Sequence, residues 1–182
     1  GSTANESGTF TEGDSATAFI ASATVTDSDS DPLASATMVC AGGWGDDTTN
    51  EAVAFGAFSA VPGSNTSATV VTAGSTDFSL TYTDSSGTIA FAKDGGGTMP
   101  LADFQTLLRT FTYDNNATPP TETARTFTVV VNDGTDNSSA AVLTVSVAAT
   151  PTAPEPVAHW TLDDDAATTV VVDETAGLNL AL

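Results

Sequence analysis

Short runs of β-branched and aromatic residues recur along this chain, and turn-forming residues separate them at roughly 8–12-residue spacing, which is typical of β-sandwiches. The clearest runs are Phe127–Asn132 and Ala140–Val147, and Asp133–Asn137 between them has the composition of a turn. Residues alternate between the two faces of a strand, so such runs place one set of side chains in a core. The pattern predicts an all-β fold, an antiparallel Greek-key β-sandwich.

Six further runs have the same character. The predicted strands are Thr17–Thr26, Leu33–Val39, Ala52–Phe58, Ser67–Thr72, Phe78–Thr83 and Thr88–Phe91. Asp84-Ser85-Ser86-Gly87 supplies hairpin turn residues between the last two strands. Together with the two clearest runs, these strands are enough for two packed sheets.

One segment departs from the strand pattern. Between residues 100 and 109, apolar residues recur at the spacing of a helix, at Leu101, Phe104, Leu107 and Leu108. Asp103 near its start and a basic residue near its end complement the helix dipole. We therefore expect one short helix that packs against the sandwich and takes no part in chemistry.

An acidic segment follows the first predicted strand. Asp27, Asp29 and Asp31 are spaced at every second position, so their carboxylates lie close enough to repel one another. Ca²⁺ takes six to eight oxygen ligands and makes such a cluster tolerable, which predicts a calcium site. A solvated acidic turn is the alternative in so acidic a chain. An EF-hand does not fit, because Pro32 and Met38 stand where its loop needs glycine and glutamate.

Charge and composition exclude several classes of partner. The 182 residues include 23 acids and 3 basic residues, which gives a net charge of −20. Such a field repels nucleic acid and anionic lipid, and no apolar run is long enough to span a bilayer, so we expect neither nucleic-acid binding nor membrane insertion. The acidic, Thr- and Ser-rich composition indicates a secreted protein, extracellular or at the cell surface.

Cys40 is the only cysteine, so an internal disulfide is impossible and a buried, inert thiol is expected.

The ends of the chain differ in composition from its middle. Residues 1–7 form an N-terminal extension in which Gly1-Ser2 looks like a cloning remnant, and no signal peptide is present, so we expect a fragment of a longer protein. The predicted sandwich covers residues 8–149. A Pro-rich linker at 150–156 favours polyproline II geometry, and the strand-like tail at 157–182 is too short to bury a core alone.

A series of motifs in the sandwich region matches a known repeat in order and spacing. The motifs are Thr11-Glu12-Gly13, Val25-Thr26-Asp27-Ser28-Asp29, Leu33–Thr37, Leu101–Tyr113 and Tyr113–Gly134. Together, residues 8–147 resemble a bacterial cadherin-like repeat, a type found in tandem in large surface and secreted proteins. The resemblance implies a cadherin/immunoglobulin-like sandwich that binds Ca²⁺.

The resemblance also implies which residues bind calcium. Glu12, Asp27, Asp29 and Asp133 fall on positions that look like the calcium ligands of the family. Asp31, Asp114 and Glu122 are secondary candidates, and Glu122 stands in Thr121–Arg125, a run that departs from the family's motif. The family ends a repeat with a carboxylate-rich linker, whereas residues 148–153 here carry no acid, so a site shared with a following repeat is not expected.

The tail resembles a different module. Val157–Asp165, followed by Thr169–Asp173 and Gly177, looks like the opening strands of a laminin-G-like (concanavalin-like lectin) domain. Such domains often bind glycans, but too few residues are present to carry that function over. Trp160 is expected to be a core residue of that module. The segment is not expected to form an independent domain: it either frays or docks on a sheet edge of its own or a neighbouring molecule.

The sequence is compatible with three functions, which it supports to different degrees. The leading interpretation is a non-catalytic calcium-binding module of a bacterial surface or secreted multidomain protein, acting in adhesion or as a rigid spacer. The second is a carbohydrate-binding module attached to a polysaccharide-binding or polysaccharide-degrading protein, which Trp44 and the lectin-like tail motivate. An enzyme is the least favoured, because the single histidine, His159, lies in the tail and no nucleophile elbow is present. The expected partners are neighbouring domains, a glycan, or a second copy of the chain.

Overall fold

A computed structural model describes residues 5–26, 31–151, 170–172 and 179–181. The chain divides into two compact units, Gly1–Thr150 and Pro151–Leu182. The division falls at the start of the segment that the sequence predicts as a linker. In the second unit, β12 (Val170–Val172) pairs antiparallel with β13 (Asn179–Ala181).

The first unit is a β-sandwich of two sheets with one α-helix, which confirms the predicted all-β sandwich, whereas the Greek-key connectivity stays a prediction. The larger sheet has seven strands in the order β1-β11-β10-β3-β8-β7-β6. In sequence order these strands are β1 (Glu6–Thr11), β3 (Ser35–Gly42), β6 (Thr66–Ala73), β7 (Thr76–Thr83), β8 (Thr88–Lys93), β10 (Arg125–Asn132) and β11 (Ala141–Ala148). All neighbouring pairs are antiparallel except β1 and β11, which are parallel.

The smaller sheet has four strands in the order β2-β9-β4-β5. They are β2 (Thr17–Ala18), β4 (Glu51–Phe55), β5 (Phe58–Ala60) and β9 (Phe111–Asn115). Single 3₁₀ turns, Thr48–Asn50 and Asp84–Ser86, precede β4 and β8. In the second of these, Gly87 follows with φ of 61°, a left-handed conformation that glycine adopts without strain, and the predicted hairpin turn is confirmed.

Aromatic side chains from the two sheets meet in the core. Phe111 of β9 contacts Phe127 of β10 edge-on, with ring centroids 5.2 Å apart. Phe55 of β4 meets Phe91 of β8 in the same way, also at 5.2 Å. Each of these side chains lies on the inward face of an alternating strand and is essentially fully buried. The core between the sheets is therefore continuous along the strands.

The helix α1 (Leu101–Leu108) forms where the sequence predicts it and buries Phe104, Leu107 and Leu108. Asp103 at its start accepts hydrogen bonds from the Ser75 hydroxyl at 2.9 Å and the Thr76 hydroxyl at 2.7 Å. These bonds tie the helix to the hairpin turn between β6 and β7. The helix thus serves packing, as expected.

The first predicted strand is mostly absent. Only Thr17 and Ala18 of the predicted run Thr17–Thr26 pair as a strand, and the chain then turns at Ala21-Ser22. The N–H of Val25 instead donates to the side-chain oxygen of Gln105 in α1, at 3.1 Å. The helix therefore supplies the hydrogen-bond acceptor that a neighbouring strand would otherwise have provided.

Candidate functional site: the two ends of the sandwich

The strands of the larger sheet end at two opposite sides of the molecule. Because β1 and β11 are parallel, Thr11 and Ala148 lie side by side at one end, which we call the linker end. Ser35 and Asn132 are paired at the other end, which we call the acidic-loop end because the chain enters β3 there from the acidic segment. An eight-residue strand spans about 26 Å, so the two ends cannot share one ion.

At the linker end, two of the predicted ligands reach consecutive residues. The Glu12 carboxylate accepts hydrogen bonds from the backbone N–H and the hydroxyl of Thr150, both at 2.9 Å. The Glu122 carboxylate accepts the backbone N–H of Ala149 at 3.0 Å. The hydrogen bonds from Thr150, first from its backbone and then from its side chain, lower the pKa of Glu12. The structure therefore ties both Glu12 and Glu122 to the backbone where the chain leaves the sandwich.

Asp114 lies at the same end of the molecule but on another surface. It belongs to β9, between the inward-facing Tyr113 and Asn115, so its own side chain points outward from the smaller sheet. Its carboxylate accepts a hydrogen bond from the Asn116 side chain at 3.1 Å. Asp114 thus contacts its own strand end and not the residues that Glu12 and Glu122 bind.

Two other predicted ligands lie at the acidic-loop end. The Asp133 carboxylate accepts the backbone N–H groups of Thr135 at 2.6 Å and Asp136 at 2.9 Å, and these bonds lower its pKa. Asp31 is exposed. The chain just after it is held beside the same loop, because the N–H of Ala34 donates to the carbonyl of Asn132 at 2.8 Å.

The predicted ligands Asp27 and Asp29 lie outside the described residues. Among those that the structure describes, no group of three or more His, Cys, Asp or Glu side chains is placed so that it could hold a metal ion. The five predicted ligands that the structure describes lie at two places, Glu12, Glu122 and Asp114 at the linker end and Asp31 and Asp133 at the acidic-loop end. A calcium ion would need further oxygen donors in either place.

Next to Glu122, the structure contains a buried ionic network that the sequence analysis missed. Arg125 is fully buried and donates from Nε to Glu51 at 2.5 Å and from Nη2 to Asp47 at 2.7 Å. Its remaining terminal nitrogen donates to the backbone carbonyls of Thr121, at 2.5 Å, and Thr123. Burying charges is tolerable only when they are paired and hydrogen-bonded, and this guanidinium meets both conditions.

Side chains of β9 complete this network. The Tyr113 hydroxyl donates to the Glu51 carboxylate at 2.7 Å, and the Asn115 amide donates to the Asp47 carboxylate at 2.7 Å. Burial and the adjacent Glu51 carboxylate raise the pKa of Tyr113. Burial alone would raise the pKa of Asp47, but hydrogen bonds from Asn115 and Thr121 and the charge of Arg125 outweigh it, so that pKa is lowered.

Every carboxylate oxygen of the network already accepts at least one hydrogen bond from the protein. The second oxygen of Glu51 accepts the Gly45 N–H at 2.7 Å, and the second oxygen of Asp47 accepts the Thr121 hydroxyl at 2.7 Å. The network is therefore structural. Because Arg125 holds the carbonyls of Thr121 and Thr123, which flank Glu122, the network positions Glu122 at the linker end.

A signal in the sequence could have revealed this network. Arg125 is two residues before the core residue Phe127, and Glu51 is two residues before Val53, so both charged residues fall on inward-facing positions of their strands. A charge on the apolar face of a strand predicts a buried partner of opposite charge. The chain has only three basic residues, so a buried acid such as Glu51 has only three possible partners of opposite charge.

Trp44 and Cys40 both pack with residues of the hydrophobic core. The Trp44 indole donates to the Tyr82 hydroxyl at 2.8 Å and contacts Phe127 edge-on at 6.0 Å, so the residue is partly buried against the core. Cys40 is buried, and burial followed by the nearby Glu51 charge raises the pKa of its thiol to about 12. The expectation of a buried thiol is confirmed, and its raised pKa disfavours the reactive thiolate form. His159 and Trp160 lie outside the described residues.

Comparison with known protein families, curated proteins and solved structures finds no match to this chain. The resemblance to a cadherin-like repeat and to the start of a laminin-G-like domain therefore remains a prediction from the sequence motifs. In the part of the chain that the structure describes, no helix has the length and apolar character that crossing a bilayer requires.

Proposed function

We propose that this protein is a non-catalytic, calcium-binding module of a surface or secreted multidomain protein, in which it acts as a rigid spacer or in adhesion. The observation that carries the proposal is that Glu12 and Glu122 bind consecutive residues, Thr150 and Ala149, where the chain leaves the sandwich. An ion bound there would link the beginning and the end of the sandwich at the point where the chain continues. Stiffness at that point is what a spacer between modules requires.

The donor set at the linker end suits a weakly bound hard cation. Each carboxylate contributes one oxygen to the backbone hydrogen bonds, and two carboxylates are fewer than the six to eight oxygen ligands of Ca²⁺. Hydroxyl groups such as that of Thr150 and water molecules would complete the shell, because residues 148–153 carry no acid. Binding in the range of extracellular modules, about 10⁻⁴–10⁻³ M, is therefore expected.

The acidic-loop end is the second location for calcium in this proposal. Asp31 and Asp133 are held on neighbouring segments there, and the sequence adds Asp27 and Asp29. The Asp133 carboxylate keeps one oxygen outside its turn hydrogen bonds. An ion at this end would fix the acidic segment, and the affinity of this site for Ca²⁺ would depend on Asp27 and Asp29.

Thermal unfolding with Ca²⁺ and with chelator tests the proposal. At a Ca²⁺ concentration ten times the dissociation constant, binding adds about 1.4 kcal/mol of stability, which raises the melting temperature by roughly 3–6 °C for a domain of this size.

The double variant Glu12→Gln with Glu122→Gln should reduce the calcium-dependent rise in melting temperature, and Asp27→Asn with Asp29→Asn tests the acidic-loop end. Asp77→Asn with Asp94→Asn is the control, because it removes the same charge from other surface sites. Equal midpoints with and without Ca²⁺ in the unmodified protein would remove the calcium proposal.

A carbohydrate-binding role is not advanced for the sandwich. The residue that motivated it there, Trp44, is partly buried and packs edge-on against Tyr82 and Phe127. Sugar-binding sites depend on exposed aromatic faces combined with polar groups. The carbohydrate-binding hypothesis then depends on the lectin-like tail at residues 157–182.

A further inference from the structure

The larger sheet has an open edge. Strand β6 is its last strand, and within residues 5–26 and 31–151 no strand pairs with its outer side. The beginning of β6 bends toward the smaller sheet, where the Thr66 hydroxyl donates to the carbonyl of Ser59 at 2.9 Å, and the pairing register with β7 shifts between Thr66 and Thr69. The regular, open part of the edge is therefore Thr69–Ala73.

Two residues of this edge direct their backbone groups outward. The two-residue turn Gly74-Ser75 joins Ala73 to Thr76, so the backbones of Ala73 and Thr76 hydrogen-bond to each other. Every second residue pair along the hairpin of β6 and β7 is hydrogen-bonded in the same way. Val70 and Thr72 fall on the alternate pairs, opposite Ser79 and Asp77. Their N–H and C=O groups consequently point away from β7, toward the open side.

The same edge carries an exposed apolar side chain and no charge. Val70 is 50% exposed, more than Val39 at 37%, the other large apolar side chain at the described surface. Thr66–Ala73 contains no charged residue and no proline, although the chain has 23 acids. Natural edge strands are usually blocked by such residues. The opposite edge strand, β1, does carry a charge, because it begins with Glu6 and is followed directly by Glu12.

We propose that β6 is a homotypic docking edge, at which a second copy of this chain pairs antiparallel along Val70–Thr72. The two-fold axis passes beside Val71, so Val70 of each copy lies opposite Thr72 of the other. The outward N–H and C=O groups of both residues are then satisfied by four backbone hydrogen bonds. Val70 gains contact with the methyl group of the opposing Thr72. This inference names a partner and a surface, and it does not depend on calcium.

Charge and geometry favour a second copy as the occupant. The edge is self-complementary, because each copy offers the donors and acceptors that the other lacks. The nearest acid on the outer face, Asp77, lies on β7, so the two copies of Asp77 are separated by three strand spacings, about 14 Å. This exceeds the screening length of about 8 Å at physiological salt. The contact is small compared with stable dimer interfaces, so weak, concentration-dependent pairing is expected, which tandem copies would strengthen.

Sedimentation velocity of the full chain over a wide concentration range tests the proposal. The net charge of −20 opposes association, so the measurement is made in about 0.5 M NaCl, where screening is strong. The expected result is a monomer–dimer equilibrium that Val70→Asp weakens about tenfold or more, because a charge replaces the apolar contact. Val39→Asp is the matched control: it makes the same change on the outer face of the same sheet, in the interior strand β3, and should leave association unchanged.

Hydrogen exchange on the unmodified protein keeps the test independent of how the variants fold. As concentration rises, the amides of Val70 and Thr72 should gain protection, whereas that of Val71, already bonded to β7, should not change. A protein that stays monomeric at every concentration overturns the proposal. Association that Val70→Asp leaves intact, or that protects neither outward amide, also overturns it, since the contact would then lie elsewhere.

Discussion

The two ends of the sandwich use acidic residues in opposite ways. At the linker end, Asp47 and Glu51 are buried against Arg125, and Glu12 and Glu122 hold the backbone of the departing chain. At the acidic-loop end, Asp133 only closes its own exposed turn. The difference between the two ends follows from the positions of the few basic residues in this acidic protein. Arg125 is buried at the linker end, whereas Lys93 and Arg109 are exposed.

This comparison shows that acidic composition alone does not define a site. An exposed carboxylate costs little to leave unpaired, so it carries little stability, whereas a buried one requires partners that fix its surroundings. The buried network therefore makes the linker end the rigid end of the sandwich, and it holds Glu122, a proposed calcium ligand, in place there.

The largest effect expected is from removing the buried cation. Arg125→Met leaves Asp47 and Glu51 buried without their counter-charge and should lower the free energy of unfolding by about 3–5 kcal/mol. Arg109→Met is the matched control, because Arg109 is exposed and donates from Nε to the Ala23 carbonyl, so about 1 kcal/mol or less is expected. Urea unfolding measures both. Equal losses for the two variants would contradict the assignment of the linker end as the rigid end.

A smaller effect, with a defined pH dependence, is expected at Asp47. Its pKa is lowered below the ordinary value of 3.8, so its ionised form stabilises the fold above that pH, and this contribution is lost as the pH falls through the folded-state pKa. Asp47→Asn should cost about 1–3 kcal/mol near neutral pH, because it weakens bonds to Arg125 and Thr121. The difference from the unmodified protein should shrink below about pH 4. A difference that stays constant to pH 2 would show that its charge is not involved.

The smallest effect is expected at the acidic-loop end. Asp133→Ala removes the hydrogen bonds to the N–H groups of Thr135 and Asp136, which water can replace because the loop is exposed. A loss of about 0.5–1 kcal/mol in the free energy of unfolding by urea is expected. A loss as large as that of Arg125→Met would mean that both ends are equally rigid.

Local patterns predicted most of the strands. The hairpin of β10 and β11, the β7–β8 turn and helix α1 follow from alternation, turn residues and helical spacing, all of which act over a few neighbouring residues. Strand β1 was missed because Phe10 is its only fully buried side chain, and its parallel partner β11 is distant in sequence. Thr17–Thr26 was predicted as a strand from its alternation, and the bond from Val25 to Gln105 of the helix overrode that preference.

The candidate site was predicted only in part. The motifs identified Glu12 and Glu122 separately, but they could not show that both reach the residues just after β11. That depends on the parallel pairing of β1 with β11, a long-range contact. The buried network likewise joins Asp47, Glu51 and Arg125 from distant segments, and only the inward register of Arg125 hinted at it.

Calorimetric titration of the metal-free protein with CaCl₂ tests the central claim most directly. It is done in about 0.15 M NaCl with Mg²⁺ present, so that the general attraction of an acidic surface for cations is screened and competed. The account predicts a saturable binding heat in the range of extracellular modules that diminishes in the Glu12→Gln, Glu122→Gln variant and persists in the Asp77→Asn, Asp94→Asn control. The absence of saturable binding in the unmodified protein, or equal binding by both double variants, would contradict calcium binding at the linker end.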